Sequence, residues 1–229
     1  MVLRIERRRV DGPAGTIEVA LDVPSQPPGR GLAFVCHPHP LHGGTLDNKV
    51  TATLARAFAA AGWLAIRFNF RGVGDSAGVH DKGMGEADDL LYLIDNASRW
   101  LGAPVESPPR AGEAPLALAG FSFGSFVAAR AATALAARGK GPRHLVLIGA
   151  AAGKWPLPSV AADTLVIHGE HDETIPLADV FAWARPQDLP VIVLPGADHF
   201  FHRRLTTLKR LVLAHLGSTA PFDAALQSD

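Results

Sequence analysis

The sequence predicts an α/β fold: a mostly parallel sheet with helices on both faces. Two observations carry this. From Leu32 onward, short apolar runs alternate with longer segments of helical spacing. The runs Leu32–Cys36, Leu116–Ala119 and His144–Ile148 are nearly continuous in apolar residues rather than alternating. That is the pattern of strands buried on both faces.

The elements follow in order. Leu3 to Val10 and Thr16 to Val23 read as two antiparallel strands joined at Asp11-Gly12-Pro13, before a Pro/Gly turn over Pro24 to Gly31. Leu32 to Cys36 is a buried strand. It runs into His37-Pro38-His39-Pro40-Leu41-His42-Gly43-Gly44, where the prolines forbid a helix. A helix is expected from Asp47 to Ala61, closed by Gly62, then a strand over Trp63 to Phe70. Glu86 to Leu101 reads as a helix, with Gly78 to Gly85 too rich in glycine to open one. Ala103 to Pro115 reads as a Pro-rich surface loop. Leu116 to Ala119 is a strand and Phe123 to Ala137 an Ala-rich helix. Strands follow at His144–Ile148, Thr164–His168 and Val191–Leu194, with a short helix at Leu177–Ala184 and a closing helix at Phe201–Leu216. Gly217 to Asp229 reads as a surface tail. No repeat and no second core are visible, so residues 1–229 form one expected domain.

Composition narrows the function classes. Apolar residues make up 48% and charged residues 19% of the chain, enough for a large core. Lys plus Arg and Asp plus Glu both number 22, which argues against nucleic acid as the partner. The single cysteine, Cys36, permits no internal disulfide and points to a reducing compartment, hence a cytoplasmic location. Met1 to Val10 carries four arginines and no apolar core of a signal peptide, and no apolar run is long enough to span a membrane. Oligomeric state is not legible.

The chemistry centres on Gly120-Phe121-Ser122-Phe123-Gly124, a Gly-x-Ser-x-Gly pentapeptide between a strand and a helix. Such a turn lifts the serine hydroxyl out of the sheet, and its glycines let the strand and helix backbones cross. Gly74-Asp75-Ser76-Ala77-Gly78 matches the same pattern but lacks those flanks, so Ser76 reads as a turn residue. A serine hydroxyl needs a base, and the base an orienting carboxylate. Asp172, in His168-Gly169-Glu170-His171-Asp172-Glu173, and His199, in Asp198-His199-Phe200-Phe201, each follow a strand. Glu170 and Glu173 are rivals for the carboxylate; Asp172 is preferred. Carbonyl attack also needs oxyanion donors. One expected donor is the N–H of Phe123. The other comes from the loop after Leu32–Cys36: His39 or Leu41, since Pro38 and Pro40 have no N–H.

Other features carry less. His37, His39 and His42 lack the carboxylates or cysteines that would complete a metal site, so no metal and no cofactor are expected. Cys36 reads as a buried strand residue. Arg71 reads as an anchor to backbone carbonyls of its own loop, with an anionic substrate as the alternative. Phe123, Phe200 and Trp155 are candidates to line the substrate side; Trp155 alternatively pins its loop to the core.

His37-Pro38-His39-Pro40 with Gly43-Gly44, Asn69-Phe70-Arg71-Gly72-Val73-Gly74-Asp75-Ser76, Gly120 to Gly124, Gly169-Glu170-His171-Asp172 and Asp198-His199 together resemble small bacterial α/β-hydrolases. The resemblance is to the serine esterase and dienelactone-hydrolase-like type, and it spans Leu32 to Leu216. Many relatives carry His-Gly where this chain has His37-Pro38, and dienelactone hydrolases proper carry cysteine at the position of Ser122. The resemblance implies the α/β-hydrolase fold and a serine hydrolase of small-molecule esters, a carboxylesterase. Alternatives are a peptidase or thioesterase with the same Ser122, Asp172, His199 set, or a non-catalytic binding module on the same fold. Large lids in this fold are usually inserted after the strand that follows the nucleophile helix. Here only Gly149 to Asp163 is available, so no cap domain is expected.

Overall fold

The computed structural model describes residues 4–25, 30–102 and 115–217. The expected Pro-rich loop before Pro115 and the tail after Gly217 lie almost wholly outside the described residues. The sheet has eight strands in the order β1-β2-β4-β3-β5-β6-β7-β8. These are β1 (Arg4–Gly12), β2 (Gly15–Val23), β3 (Leu32–Cys36), β4 (Leu64–Phe68), β5 (Leu116–Phe121), β6 (His144–Ile148), β7 (Leu165–Gly169) and β8 (Val191–Leu194). β1 and β2 form an antiparallel hairpin, and β2 joins β4 antiparallel; from β4 to β8 every pairing is parallel.

Two helix layers cover this sheet. On one face lie α1 (Lys49–Ala60) and α6 (Leu205–Gly217), which bury Val50, Leu54, Phe58, Leu208 and Val212 with Ala33, Val35, Val146 and Ile148. On the other lie α2 (Met84–Asp95), the short α3 (Ala97–Leu101), α4 (Phe123–Ala136) and α5 (Leu177–Ala184). They bury Leu90, Leu93, Phe126, Val127 and Val180 with Phe34, Leu118, Leu147 and Val166. Strand residues thus alternate between the two cores although every residue of β3 and β4 is buried. That is why these strands read as continuous apolar runs. α4 is made of small residues because it presses on the centre of the sheet, with Ala128, Ala129 and Ala131 fully buried.

Four expectations are corrected. The loop after β3, expected to hold no helix, makes one 3-10 turn over Pro40–His42, because proline is tolerated at the first position of a helix. The Glu86–Leu101 helix breaks at Asn96, whose side-chain amide donates to the Tyr92 carbonyl (2.9 Å) and competes with the helical ladder. That helix starts at Met84, inside the Gly78–Gly85 stretch, not at Glu86. Glu86 caps it by accepting from the Gly83 N–H (2.7 Å). Gly85 fits inside the helix for a steric reason: a Cβ there would lie 1.9 Å from Arg71 Nη1. The closing helix starts at Leu205, because Phe201 and Arg203 have φ of 54° and 60°, outside the helical region.

No helix or strand lies between β6 and β7, so no cap layer exists there. Among the described residues no helix is long and apolar enough to cross a membrane. The parallel pairing has one main consequence for the site. It brings the loops after β3, β4, β5, β6, β7 and β8 to one edge of the sheet, where parallel sheets place their sites.

Candidate active site

Ser122 sits between β5 and α4 with φ 54° and ψ −124°. An L-residue held there costs about 1–3 kcal/mol, so its surroundings must fix it. Its N–H donates to Ile148 O of the neighbouring strand (2.9 Å). Its carbonyl accepts from the Ser125 N–H (2.8 Å) and from the Ser125 hydroxyl (2.6 Å). Ser125 Oγ in turn accepts from the Ala151 N–H (2.9 Å), tying the turn to the loop after β6. Both glycines of the pentapeptide are sterically required. A Cβ on Gly120 would lie 2.1 Å from Gly124 O, and one on Gly124 would lie 2.4 Å from Cys36 O.

Around this turn the structure gathers the expected residues. Ser122, Asp172 and His199 are all buried. His199 Nε2 lies 3.0 Å from Ser122 Oγ, and His199 Nδ1 lies 2.6 Å from Asp172 Oδ2. An ionised carboxylate can only accept, so the ring proton sits on Nδ1 and the Nε2 lone pair faces the serine. Asp172 Oδ1 accepts from the N–H groups of Thr174 (2.9 Å) and Ile175 (2.7 Å), which anchor the carboxylate in one orientation. Glu170 does something else. It accepts from the Gly196 N–H (2.7 Å) and so holds the loop that carries His199. Glu173 is exposed. The His199 ring packs on Phe121 with centroids 5.0 Å apart and lies over Gly149, where a Cβ would approach it to 3.3 Å.

The loop after β3 is held by His37. Its Nδ1–H donates to Pro38 O (2.7 Å), and its Nε2 accepts from the Phe70 N–H (2.9 Å). This buried ring is neutral, since burial pushes its pKa down to about 3. Both ring nitrogens are therefore committed to the backbone. His39 Nδ1 accepts from the Leu41 N–H (3.2 Å), so the Leu41 donor is already engaged. The Leu41 side chain is 71% exposed. A Cβ on Gly44 would lie 2.1 Å from Pro38 O, and Gly43 has a φ of 76°, which together explain the Gly43-Gly44 end of the motif.

Beside the site is a group of rings. The Phe123 ring is buried, 4.9 Å from His39 and 4.8 Å from Trp155. Trp155 stacks on Phe126 (5.5 Å) and lies 5.6 Å from His39, so it pins its loop to the core and also borders the His39 loop. Phe200 is 47% exposed, edge-on to His199 at 5.1 Å.

The remaining sequence features have structural roles. Ser76 is buried; its hydroxyl donates to Asn69 O (2.8 Å) and accepts from the Glu18 N–H (2.9 Å). Arg71 does not anchor backbone carbonyls as expected. It makes a two-pronged pair with Asp89 on α2, 2.8 Å at each prong, because a buried carboxylate offers a planar match to the guanidinium. Cys36 is fully buried, and burial raises its thiol pKa. Sequence reasoning missed Ser125, Glu86 and His168. Ser125 had a legible signal: a serine in the first turn of a helix, three residues past a strained turn, is placed to bond back to it.

Comparisons with known proteins bear on the family and the fold. A family model described as a thioesterase domain matches residues 108–170. An uncharacterised protein of Rickettsia prowazekii is 28% identical over 219 residues, 90% of this chain and 86% of its own. A solved α/β serine hydrolase homologue of Coxiella burnetii is 35% identical with a TM-score of 0.79, covering 94% of this chain and 99% of its own. A solved α/β serine hydrolase of Xanthomonas campestris, described as lacking a lid, is 36% identical with a TM-score of 0.80, covering 94% of this chain and 95% of its own. With the fold, the absent cap and this identity over nearly the whole length, the chain belongs to the bacterial lidless α/β serine hydrolases.

Proposed function

We propose that the protein is a carboxylesterase that cleaves small-molecule esters through an acyl-enzyme on Ser122. The observation that carries this is the 3.0 Å approach of the His199 Nε2 lone pair to a serine hydroxyl that the turn holds out of the sheet. In this reading His199 takes the Ser122 proton as the oxygen attacks the ester carbonyl. The imidazolium then gives that proton to the leaving alkoxide, and a water repeats the sequence to release the acid. Asp172, fixed by two backbone N–H donors, keeps the proton on Nδ1 and stabilises the imidazolium. The oxyanion donors are the N–H groups of Phe123 and His39. Phe123 opens α4, where first-turn N–H groups lack helical partners. His39 is preferred over Leu41 because the Leu41 N–H already donates to His39 Nδ1. Phe200 and Trp155 border the substrate. The buried, unpaired Cys36 fits a cytoplasmic enzyme.

A thioesterase is the second reading, favoured by the family model over residues 108–170. The same triad serves both leaving groups. A matched panel of oxygen esters and thioesters of rising acyl length separates them. Without a cap layer to enclose a chain, the carboxylesterase reading expects short oxygen esters to be best, with no rate jump at the solubility limit. A preference for thioesters of ten-fold or more, or a strong preference for long acyl chains, contradicts it.

A further inference from the structure

We infer that His168, at the carboxyl end of β7, is a positioning residue of the triad: its Nε2–H holds the turn that orients Asp172 and lies beside the carboxylate oxygen that faces His199. The inference rests on the Ser122–His199–Asp172 reading above. His168 is fully buried. Its Nε2 lies 2.9 Å from Ile175 O and 3.3 Å from Asp172 Oδ2. A carbonyl oxygen can only accept, so the proton of this ring sits on Nε2. Ile175 is the residue whose own N–H donates to Asp172 Oδ1 at 2.7 Å. One N–H therefore fixes Ile175 from its carbonyl side, while the N–H of the same residue grips the carboxylate. The His168 N–H also approaches Oδ2, the oxygen that accepts from His199 at 2.6 Å.

The other half of the ring supports this. Among the described residues, His168 Nδ1 is buried with no hydrogen-bond partner. An unpaired buried nitrogen is destabilising, so packing alone favours an apolar residue at this position. What the imidazole supplies is a single N–H at the reach of Nε2. The titratable groups facing it are Asp172 on the loop after β7 and His199 on the loop after β8. The core it joins on that side of β7 is apolar, with Val166, Ile175 and Val180. Burial lowers the pKa of His168, so it stays neutral and keeps that one donor through the working range.

The sign of the effect follows. A donor near Oδ2 draws charge away from the bond to His199. Its loss leaves a more basic carboxylate, which favours the imidazolium and moves the acid limb of kcat/KM to higher pH. Looser anchoring of the Thr174–Ile175 turn also lowers kcat.

The experiment compares H168Q, H168N and H168L, with rates expressed per active site from the burst of a fluorophosphonate or activated ester. The Gln amide reaches the place of Nε2, whereas the Asn amide stops near Nδ1. We expect H168L and H168N to lose roughly 10- to 100-fold in kcat with little change in KM, the size of a misplaced catalytic group. Their acid limb should rise by about half a pH unit. H168Q should recover most of the rate and the native limb. If H168L does not fold, the Asn and Gln pair still decides. A purely structural role would lower the folded fraction yet leave kcat per active site and the limb unmoved in all variants. That result, or equal behaviour of H168N and H168Q, overturns the inference. Failure of the triad reading looks different: native enzyme then gives no burst at Ser122.

Discussion

Two pentapeptides in this chain share the pattern Gly-x-Ser-x-Gly, and they end in opposite states. At Gly74–Gly78 the serine hydroxyl is spent twice, donating to Asn69 O and accepting from the Glu18 N–H. It stitches the loop after β4 to β2. At Gly120–Gly124 the hydroxyl meets, among the described residues, only an imidazole nitrogen, and the backbone around it does the stitching through Ile148, Ser125 and Ala151. The glycines differ as well. Gly120 and Gly124 are forced by backbone-to-backbone contact, whereas Gly74 and Gly78 adopt positive φ in a turn. The pentapeptide thus marks a tight turn in both cases. Whether its serine is reactive depends on whether strand and helix satisfy the backbone and leave the hydroxyl free.

The contrast is broken most directly by removing each group in turn. Ser122→Ala should reduce turnover by roughly 10⁴- to 10⁶-fold while leaving the fold intact, read by single-turnover kinetics and circular dichroism. A residual rate near that of the native enzyme would move the nucleophile elsewhere. Asp172→Asn should cost on the order of 10⁴-fold, since the amide favours the wrong tautomer of His199. Glu170→Gln should cost far less, because its carboxylate holds a loop rather than the imidazole. A larger loss at Glu170 would reassign the acid.

Smaller effects sharpen the comparison on the side of stability. His37 holds the loop beside Ser122 only while neutral, and its pKa falls from 6.5 to about 3 on burial. A histidine depressed in the fold takes up protons on unfolding. Its stabilising contribution is therefore complete above about pH 6.5 and is lost as pH falls toward 3. At pH 5 that amounts to about 2 kcal/mol from this ring. His144, lowered to about 4 chiefly by burial, acts in the same direction. Denaturant melts at pH 7.5 and 5.0 should show the loss; a stability that is flat over that interval contradicts it. Ser76→Ala should cost about 1–3 kcal/mol by orphaning the Glu18 N–H, with kcat per folded molecule unchanged.

How far the sequence was legible follows from the range of the forces involved. The order of strands and helices, the turn at Ser122 and the strand-end positions of Asp172 and His199 all have local signals. These are apolar runs, glycines at backbone crossings and residues just past strands. The break at Asn96 and the late start of α6 depend on one side-chain bond and on two left-handed residues, which apolar periodicity does not encode. Local pattern ties Arg71 to its own loop, but its partner Asp89 lies on α2, eighteen positions away. His168 stands four residues before Asp172 in plain view. Nothing local says that its Nε2 reaches the Ile175 carbonyl, because that depends on how the loop after β7 folds back.

The central claim is that Ser122, and not its pentapeptide twin, carries an activated hydroxyl. A fluorophosphonate reacts with a serine only where a base draws off the proton. Native protein and the Ser122→Ala and Ser76→Ala variants would be treated with one such probe, digested, and the adduct mapped by peptide mass. We expect one adduct, on the peptide holding Ser122, present in the native and Ser76→Ala proteins and absent from Ser122→Ala. An adduct on Ser76, or no adduct on well-folded native protein, would contradict the claim.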